Sequence, residues 1–322
     1  MLLGRTANGM FWMARYIERS EAMARLIDAG QHMQLTRGTQ TADWGSVLAS
    51  AGVTGDFIAR HGRPDGAIEA APAIDFLLRD PSNPSSVLSC FEMGRANARM
   101  VRTALTRDVW EAVNDAWRRI RARLARPVDD TELPSLLRQI KQATTLIRGT
   151  IHNTQLRTDS FDFAQIGLHL ERADTTARIL DVKYYVLLPA ASWVGSALDT
   201  VQWDMLLRSV SAHKAYRWAY QADVDPANVA DFLILNRRMP RSLTYNYDVV
   251  MDSLARLARQ YGSRPPCHET AAWMQRQLEV QGIDEIFEHG LHEFLSEFLD
   301  GNARLANEIA RDYQFTEKAP CF

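Results

Sequence analysis

Two short stretches of the sequence carry acidic and basic residues in the same order. Residues 16–28 read YIERSEAMARLID, and residues 169–181 read HLERADTTARILD, 153 residues further along the chain. Paired carboxylates can act as general acids and bases or bind metals, and carboxylates beside arginines form ion pairs. The candidate residues are Glu18, Arg19, Glu21 and Arg25 in the first stretch and Glu171, Arg172, Asp174 and Arg178 in the second.

The charged residues of the first stretch fall on a narrow stripe of a helix, opposite an apolar face. Glu21 and Arg25 are four residues apart, and Arg25 and Asp28 are three apart, so both pairs are predicted to form along the helix. Arg19 projects about 100° away from Glu18 and must contact a different neighbour. Apolar residues also flank the stripe of the second stretch, so we predict that the charges are buried and that the carboxylates are paired or ligated.

Three interpretations of this buried stripe stay open. An internal ion-pair network would hold two halves of the chain in register. A shared polar site at their junction would bind a cationic or peptide-like group, and a metal site is the third alternative. Neither stretch has the Glu-x-x-His spacing of di-iron bundles, and we assign no metal. His169 lies about 160° from Glu171 on the helix and is predicted to be a core histidine.

The recurrence extends beyond these two stretches. Other segments match in the same order, with offsets of 156 to 159 residues. We interpret this as a tandem duplication of a unit of roughly 155 residues, too long for a solenoid of short repeats. The first pseudo-repeat is predicted to span 1–157 and the second 158–322, fused into one compact body. Examples are DFLL at 75–78 with DFLI at 231–234, and Pro84-Ser85-Ser86 with Pro240-Arg241-Ser242.

The hydrophobic periodicity predicts an all-α, multi-helix bundle. Ser82-Asn83-Pro84 and Asp225-Pro226 have the residue types of helix starts. The region 36–72, rich in glycine, shows no clear pattern. Helical segments are predicted at about 6–36, 84–125, 132–156, 160–187, 199–221, 241–261, 267–281 and 284–314.

Composition narrows the function classes. The 322 residues carry a net charge of −2, which does not favour nucleic acid, and no apolar run is long enough for a membrane span. The three cysteines form no CxxC pair or disulfide framework, so we expect a cytoplasmic protein. No P-loop or GxGxxG motif occurs, and no cofactor is assigned.

Two further segments contain candidate functional residues. Glu285, Glu288 and His292 would share one helical face, but Gly290 interrupts the turn, and a solvated or interface face is preferred to a metal site. The basic loop that begins at Asn236 has a non-basic counterpart at 80–85. Arginines suit a contact with an acidic partner or a carboxylate. The candidate partner contacts are Arg237, Arg238, Arg241 and Ser242.

The duplicated Glu-Arg motif in an all-helical chain of this length resembles the bacterial alpha-E domain family, a helical domain with a Glu-Arg motif, typically in tandem duplication. The resemblance rests on residues 15–21 (RYIERSE), 170–174 (LERAD) and 180–185 (LDVKYY), with NPSS at 83–86. One departure is Arg95-Ala96-Asn97-Ala98-Arg99, where the family tends to read Arg-Glu-Asn-Ala-Arg.

The resemblance implies a partner rather than a reaction. The family is linked by gene context to circularly permuted ATP-grasp proteins, transglutaminase-like proteins and an NTN-type peptidase, in a system that makes or modifies peptides. The chain is therefore predicted to be a non-catalytic or co-catalytic helical subunit that binds an ATP-grasp ligase and helps to present a peptide. The alternative is a stand-alone enzyme or metal-binding protein that uses the paired buried carboxylates, so enzymatic activity stays an open question.

Overall fold

The computed structural model of the chain describes residues 4–36, 44–62, 68–186 and 197–315. These residues form fifteen α-helices and one short 3-10 segment, and they contain no β-strand, which confirms the all-α prediction. The helices are α1 (Gly4–Thr36), α2 (Trp44–Ser50), α3 (Thr54–His61), α4 (Ala70–Leu78), α5 (Val87–Met100), α6 (Arg107–Arg123), α7 (Leu133–Thr154), α8 (Asp159–Val186), α9 (Ala197–Ser209), α10 (His213–Tyr220), α11 (Pro226–Ile234), α12 (Leu243–Tyr261), α13 (Cys267–Val280), α14 (Ile283–His289) and α15 (Leu291–Asp312).

Side-chain caps define where several helices begin. Asp225 accepts a hydrogen bond from the backbone N–H of Asn228, with Pro226 at the first helical position, as the sequence predicts. The predicted start at 82–84 is wrong, because α5 begins only after Ser86, which caps it. Asn83 instead stabilises the preceding turn, where its side-chain oxygen accepts a hydrogen bond from the N–H of Ser85 at 2.9 Å.

Three of the long predicted segments are interrupted. The segment 84–125 breaks at 101–106, and 199–221 breaks between α9 and α10. The segment 284–314 breaks at Gly290, whose φ of 109° ends α14 and starts α15 in a new direction. The hydrophobic periodicity of the sequence does not reveal such breaks, because the helices on both sides bury apolar residues. The uncertain region 36–72 contains α2, α3 and the start of α4 in its described part.

Two long central helices organise the core. α1 packs most extensively on α8 and α5, and α8 also packs on α12 and α15. α1 and α8 approach closely at Gly167, where an added Cβ would lie only 2.3 Å from the carbonyl oxygen of Phe11. Their contact positions the two Glu-Arg motifs, one on each helix. No described helix combines the length and apolar character needed to cross a bilayer.

Helix lengths recur along the chain. α3 and α10 have 8 residues each, α4 and α11 have 9, and α7 and α15 have 22. The paired helices begin 159, 156 and 158 residues apart. The boundary at 157/158 lies in the loop between α7 and α8. These lengths agree with a tandem duplication. The duplication and its division into two domains remain a prediction.

Candidate functional site: the paired Glu-Arg motifs

The two Glu-Arg motifs meet reciprocally across the α1–α8 contact. Arg172 of α8 donates to Glu18 of α1 through Nε at 2.8 Å and Nη2 at 3.1 Å. Arg19 of α1 donates to Glu171 of α8 through Nε at 2.5 Å and Nη2 at 2.9 Å. Both contacts are bidentate guanidinium–carboxylate pairs, the strongest geometry for such a bond. Each acid is therefore neutralised by the arginine of the other helix, and Arg19 indeed serves a different neighbour from Glu18.

Two more arginines, from distant elements, join the acids of α1. Arg148 of α7 lies 3.0 Å from Glu18 and also contacts Glu21. Arg241, from the loop before α12, lies 2.8 Å from Glu21 and 3.5 Å from Glu18. Arg25 pairs with Glu21 at 2.7 Å, as the spacing predicts. We call this cluster the first centre; it consists of Glu18, Glu21, Arg25, Arg148, Arg172 and Arg241.

A smaller cluster surrounds the acids of α8. Glu171 is 2% exposed and receives Arg15 at 2.8 Å in addition to Arg19. Asp174 pairs with Arg178 at 2.7 Å, four residues further along the same helix. We call this cluster the second centre; it consists of Glu171, Asp174, Arg15, Arg19 and Arg178.

The outer arginine of each motif contacts a tight turn in a distant part of the chain. Arg25 donates to Ser211 Oγ at 2.6 Å, and Ser211 has a φ of 56°. Arg178 lies beside Gly52, whose φ is 70°, and a Cβ there would be 3.0 Å from its guanidinium. Both turns adopt the left-handed conformation, and they are 159 residues apart in the sequence. The motifs thus fix the turns after α2 and α9 as well as each other.

The pKa values of the buried acids show which protonation state they hold. Burial alone would raise the pKa of Glu18, but Arg172, Arg148 and Arg241 outweigh it and hold the pKa well below its usual range. Burial likewise opposes Arg19 and Arg15 at Glu171, and the arginines lower its pKa to about 2. At Glu21, burial and the charge of Glu18 would raise the pKa, but the neighbouring arginines outweigh them and lower it to about 2. All three stay ionised at neutral pH and have no proton to donate.

The charge balance of the first centre is positive. Four guanidinium groups, those of Arg25, Arg148, Arg172 and Arg241, face the two carboxylates. Burial, followed by repulsion from Arg25, lowers the pKa of Arg241 to about 9. One interpretation of the sequence was a site for a cationic group. Such a site needs negative charge, whereas the first centre has an excess of positive charge. The junction is therefore an arginine-rich cluster that can attract anions.

A cavity of about 720 Å³ lies beside the first centre, between α7, α8 and α12. Its apolar wall is formed by Phe161, Leu168 and Val249. Among the described residues that line it, none is Asp or Glu. The basic and imidazole groups on its wall are Arg148, Arg157, Arg172, Arg256, His152 and His169.

The predicted partner contacts divide into exposed and inward-facing residues. Arg237 and Arg238 are exposed, and Arg237 pairs with Glu279 at 2.6 Å. Arg241 is turned into the first centre, with 11% of its side chain exposed. Ser242 is fully buried and caps α12 by accepting from the N–H of Tyr245. The structure corrects the surface assignment of these last two, because ion pairing and capping direct them inward.

Other predicted features are placed as follows. Asp28 pairs with Lys141 at 2.8 Å, and the described ion pairs do not include the expected contact of Asp28 with Arg25. His169 is a buried core histidine, as predicted. His292 of α15 bonds to Asp181 of α8. The break at Gly290 places His292 in a different helix from Glu285. Cys90 and Cys267 are buried free thiols, whereas Cys321 lies outside the described residues.

No group of three or more His, Cys, Asp or Glu side chains in the described ranges is arranged to hold a metal ion. Sequence reasoning missed Arg15 and Arg148 as members of the two centres, and it missed Thr144 as a partner of Glu21. Thr144 donates from its hydroxyl to Glu21 at 2.7 Å. Arg15 could have been predicted from its position next to the first motif. Arg148 and Thr144 lie in α7, far from both motifs in the sequence, and no local pattern predicts their contacts.

With this geometry in place, the comparisons define the class of protein. A model of the Alpha-E family, described as a predicted alpha-helical domain with a conserved ER motif, matches residues 2–314. The chain therefore belongs to the Alpha-E family, and the reciprocal Glu18–Arg172 and Arg19–Glu171 pairs are made by its two Glu-Arg motifs.

Similar curated proteins include an uncharacterized protein of Mycobacterium bovis and two of Mycobacterium tuberculosis. Each is 24% identical over 324 residues, which covers 95% of this chain and 36% of the relative. The chain thus spans about a third of the length of these relatives. No solved structure matches the chain.

Proposed function

We propose that this chain is an accessory helical subunit of a system that synthesises or modifies peptides, and that it binds a circularly permuted ATP-grasp ligase. A transglutaminase-like protein is a further partner in this proposal. The observation that carries it is the saturation of the buried acids: Glu18, Glu21 and Glu171 are all paired with arginines and held ionised. Such a junction fixes a shape for binding and has no free acid or base for catalysis.

The architecture of the relatives supports a partner. In each, the region similar to this chain makes up 36% of the length, so most of the protein is a further polypeptide joined to it. A helical body that functions beside another domain needs a contact surface. Arg238 and Trp218, the latter 77% exposed, are residue types that dominate interface energetics. The alternative of a stand-alone enzyme or metal-binding protein has no comparable support from the geometry.

Reconstitution tests the proposal. The chain is mixed with a circularly permuted ATP-grasp protein, and complex formation and ATP turnover are measured. We expect a stoichiometric complex whose turnover depends on this chain. Arg238→Glu is expected to weaken the complex at least tenfold by charge reversal, on the order expected for interface charges. Arg119→Glu, at an exposed position on α6, is the matched control. Absence of both association and altered turnover would refute the proposal.

A further inference from the structure

The cavity between α7, α8 and α12 has the size and lining of a ligand site. Its volume of about 720 Å³ lies within the range of small-molecule pockets, roughly 300–1,000 Å³. Four arginines line it together with an apolar wall, and none of its described lining residues is acidic. Such a combination suits a molecule with one anionic end and one apolar end.

The first centre supplies unbalanced positive charge to this cavity. Arg148 and Arg172 belong both to the first centre and to the cavity wall. Because four guanidinium groups face only two carboxylates there, a buried excess of positive charge remains, and such an excess is costly without a counter-ion. An anion in the adjoining cavity would offset it.

Two more arginines lie on the cavity wall, nearer to solvent. Arg157 stacks its guanidinium 4.0 Å from the ring centre of Phe161 and donates to the carbonyl of Gln155 at 2.9 Å. Arg256 pairs with Asp162 at 2.7 Å, and 39% of its side chain is exposed. Arg157 also donates through Nη2 to the carbonyl of His152 at 2.6 Å. A guanidinium has five N–H groups, so each of these arginines keeps donors that can bind a carboxylate.

His169 adds a hydrogen-bond acceptor to the lining. Its Nδ1 lies 2.7 Å from Oδ1 of Asn246, whose amide nitrogen donates to the carbonyl of Ser242 at 2.6 Å. Nδ1 therefore carries the proton, and Nε2 carries a lone pair. Within the described residues, Nε2 makes no hydrogen bond. Burial, helped by the charge of Arg172, lowers the pKa of His169 to about 3, so the ring stays neutral.

We propose that this cavity binds the carboxylate end of a peptide or of an N-acylated amino acid. The arginines bind the carboxylate, the wall formed by Phe161, Leu168 and Val249 receives the side chain, and Nε2 of His169 accepts a hydrogen bond from the neighbouring amide N–H. This inference goes beyond the proposed partnership, because it concerns the isolated chain without any ligase.

Calorimetric titration of the isolated chain with four related compounds tests the assignment. N-acetylphenylalanine carries all three features, its carboxamide lacks the charge, and O-acetyl-phenyllactate lacks the N–H. Phenyl phosphate replaces the carboxylate by a phosphate. We expect the acid to bind at least about tenfold more tightly than the carboxamide and about threefold more tightly than the phenyllactate. Equal binding of the carboxamide, tighter binding of phenyl phosphate, or no binding of the acid would overturn the proposal.

A matched pair of variants tests the role of charge. Gly149 of α7 lines the cavity, and an added Cβ there meets no atom within 4 Å. Gly149→Glu and Gly149→Gln have similar size, and both residues favour a helix over glycine. We expect N-acetylphenylalanine to bind Gly149→Glu at least about tenfold more weakly than Gly149→Gln, because the added carboxylate repels it. Equal and retained affinity in both variants would contradict the proposal.

A second pair keeps the test decisive if any side chain at position 149 blocks the cavity. Arg157→Gln removes an accessible guanidinium from the wall, and we expect it to weaken binding about fivefold or more. Arg208→Gln removes an exposed helical arginine of α9 that does not line the cavity, and it should leave binding unchanged. Equal affinities of these two variants would overturn the proposal.

Discussion

The two centres contain the same motif but differ in charge and enclosure. In the first centre, Glu18 and Glu21 are 2% and 0% exposed and face four guanidinium groups. In the second centre, Glu171 is equally buried, but Asp174 and Arg178 form a pair whose side chains are 16% and 39% exposed. The first centre is thus an enclosed cluster with two more arginines than carboxylates, whereas the second has one more arginine than carboxylates and includes a pair that reaches the surface.

The difference shows which part of the motif is common to both halves. Each centre contains one of the two reciprocal pairs: Glu18–Arg172 in the first and Arg19–Glu171 in the second, with Arg19 and Arg172 each supplied by the other helix. The surrounding arginines have no counterparts. At the offsets of the predicted duplication, the positions equivalent to Arg15, Arg148 and Arg241 are Leu168, Ala306 and Ser85. The common pairs join α1 to α8, and Arg148 and Arg172 of the first centre line the cavity.

The largest expected effect comes from removing one acid from each centre. Glu18→Gln would leave Arg148, Arg172 and Arg241 with one carboxylate fewer, and we expect a loss of about 3–5 kcal/mol in the free energy of unfolding. Glu171→Gln should cost less, about 2–4 kcal/mol, because ring contacts stabilise its two arginines. Arg15 lies 5.0 Å from the ring centre of Trp12, and Arg19 lies 5.9 Å from that of Tyr16. Urea denaturation measures both values.

The exposed pair Arg107–Glu111 provides the control for these variants. Its side chains are 82% and 53% exposed, so Glu111→Gln should change the free energy of unfolding by less than about 1 kcal/mol. A cost at Glu18 no greater than that at Glu111 would show that the first centre does not stabilise the fold.

The second effect concerns pH. The pKa of Glu171 is lowered to about 2, chiefly by Arg19 and then Arg15, which outweigh the raising effect of burial. Between about pH 4.5 and pH 2 the unfolded chain binds a proton that the folded chain does not, so the free energy of unfolding falls as the pH falls. Glu171→Gln removes this contribution, and its stability profile should be flatter in that interval.

Denaturation curves at pH 3 and pH 6 measure the slope for the wild type and for Glu171→Gln. The exposed Glu111→Gln variant should retain the wild-type slope. A profile for Glu171→Gln as steep as that of the wild type would indicate that Glu171 does not titrate at low pH in the folded state.

The smallest effect compares the outer arginines of the two motifs. Arg25 is 15% exposed and binds a fully enclosed Glu21, so Arg25→Gln should cost about 1–2 kcal/mol. Arg178 is 39% exposed, and Arg178→Gln should cost less than about 1 kcal/mol. Thermal or urea unfolding of the two variants side by side measures the difference. Equal costs would mean that the enclosure of the first centre adds nothing to this pair.

The sequence was sufficient for the parts of the molecule that depend on local pattern. The recurring Glu-Arg stripe predicted that Glu18, Glu21 and Glu171 are buried and paired, and the structure confirms this. The Asp225-Pro226 start was also predictable, because capping involves only a few neighbouring residues.

Long-range packing determines the remaining features. Arg148 and Arg241 reach the junction from elements 130 and 223 residues from Glu18, and no local pattern encodes that approach. The difference between Arg241 and Ser85 at matched positions was visible in the sequence, but it was interpreted as a partner contact, and the buried pairs of Arg241 with Glu18 and Glu21 were not predicted. The cavity arises where α7, α8 and α12 meet, so it was not visible before the packing was known.

The reciprocal pairing also sets an order of events during synthesis. Glu18 and Glu21 emerge from the ribosome long before Arg172 and before Arg241, which follows Glu21 by 220 residues. Ordering contacts so distant in sequence is slow, since the intervening chain must first be brought together. The acids of α1 thus lack Arg172 and Arg241 as partners until those residues have been made. Closure of the junction is in this sense a late step that needs a chain extending past Arg241.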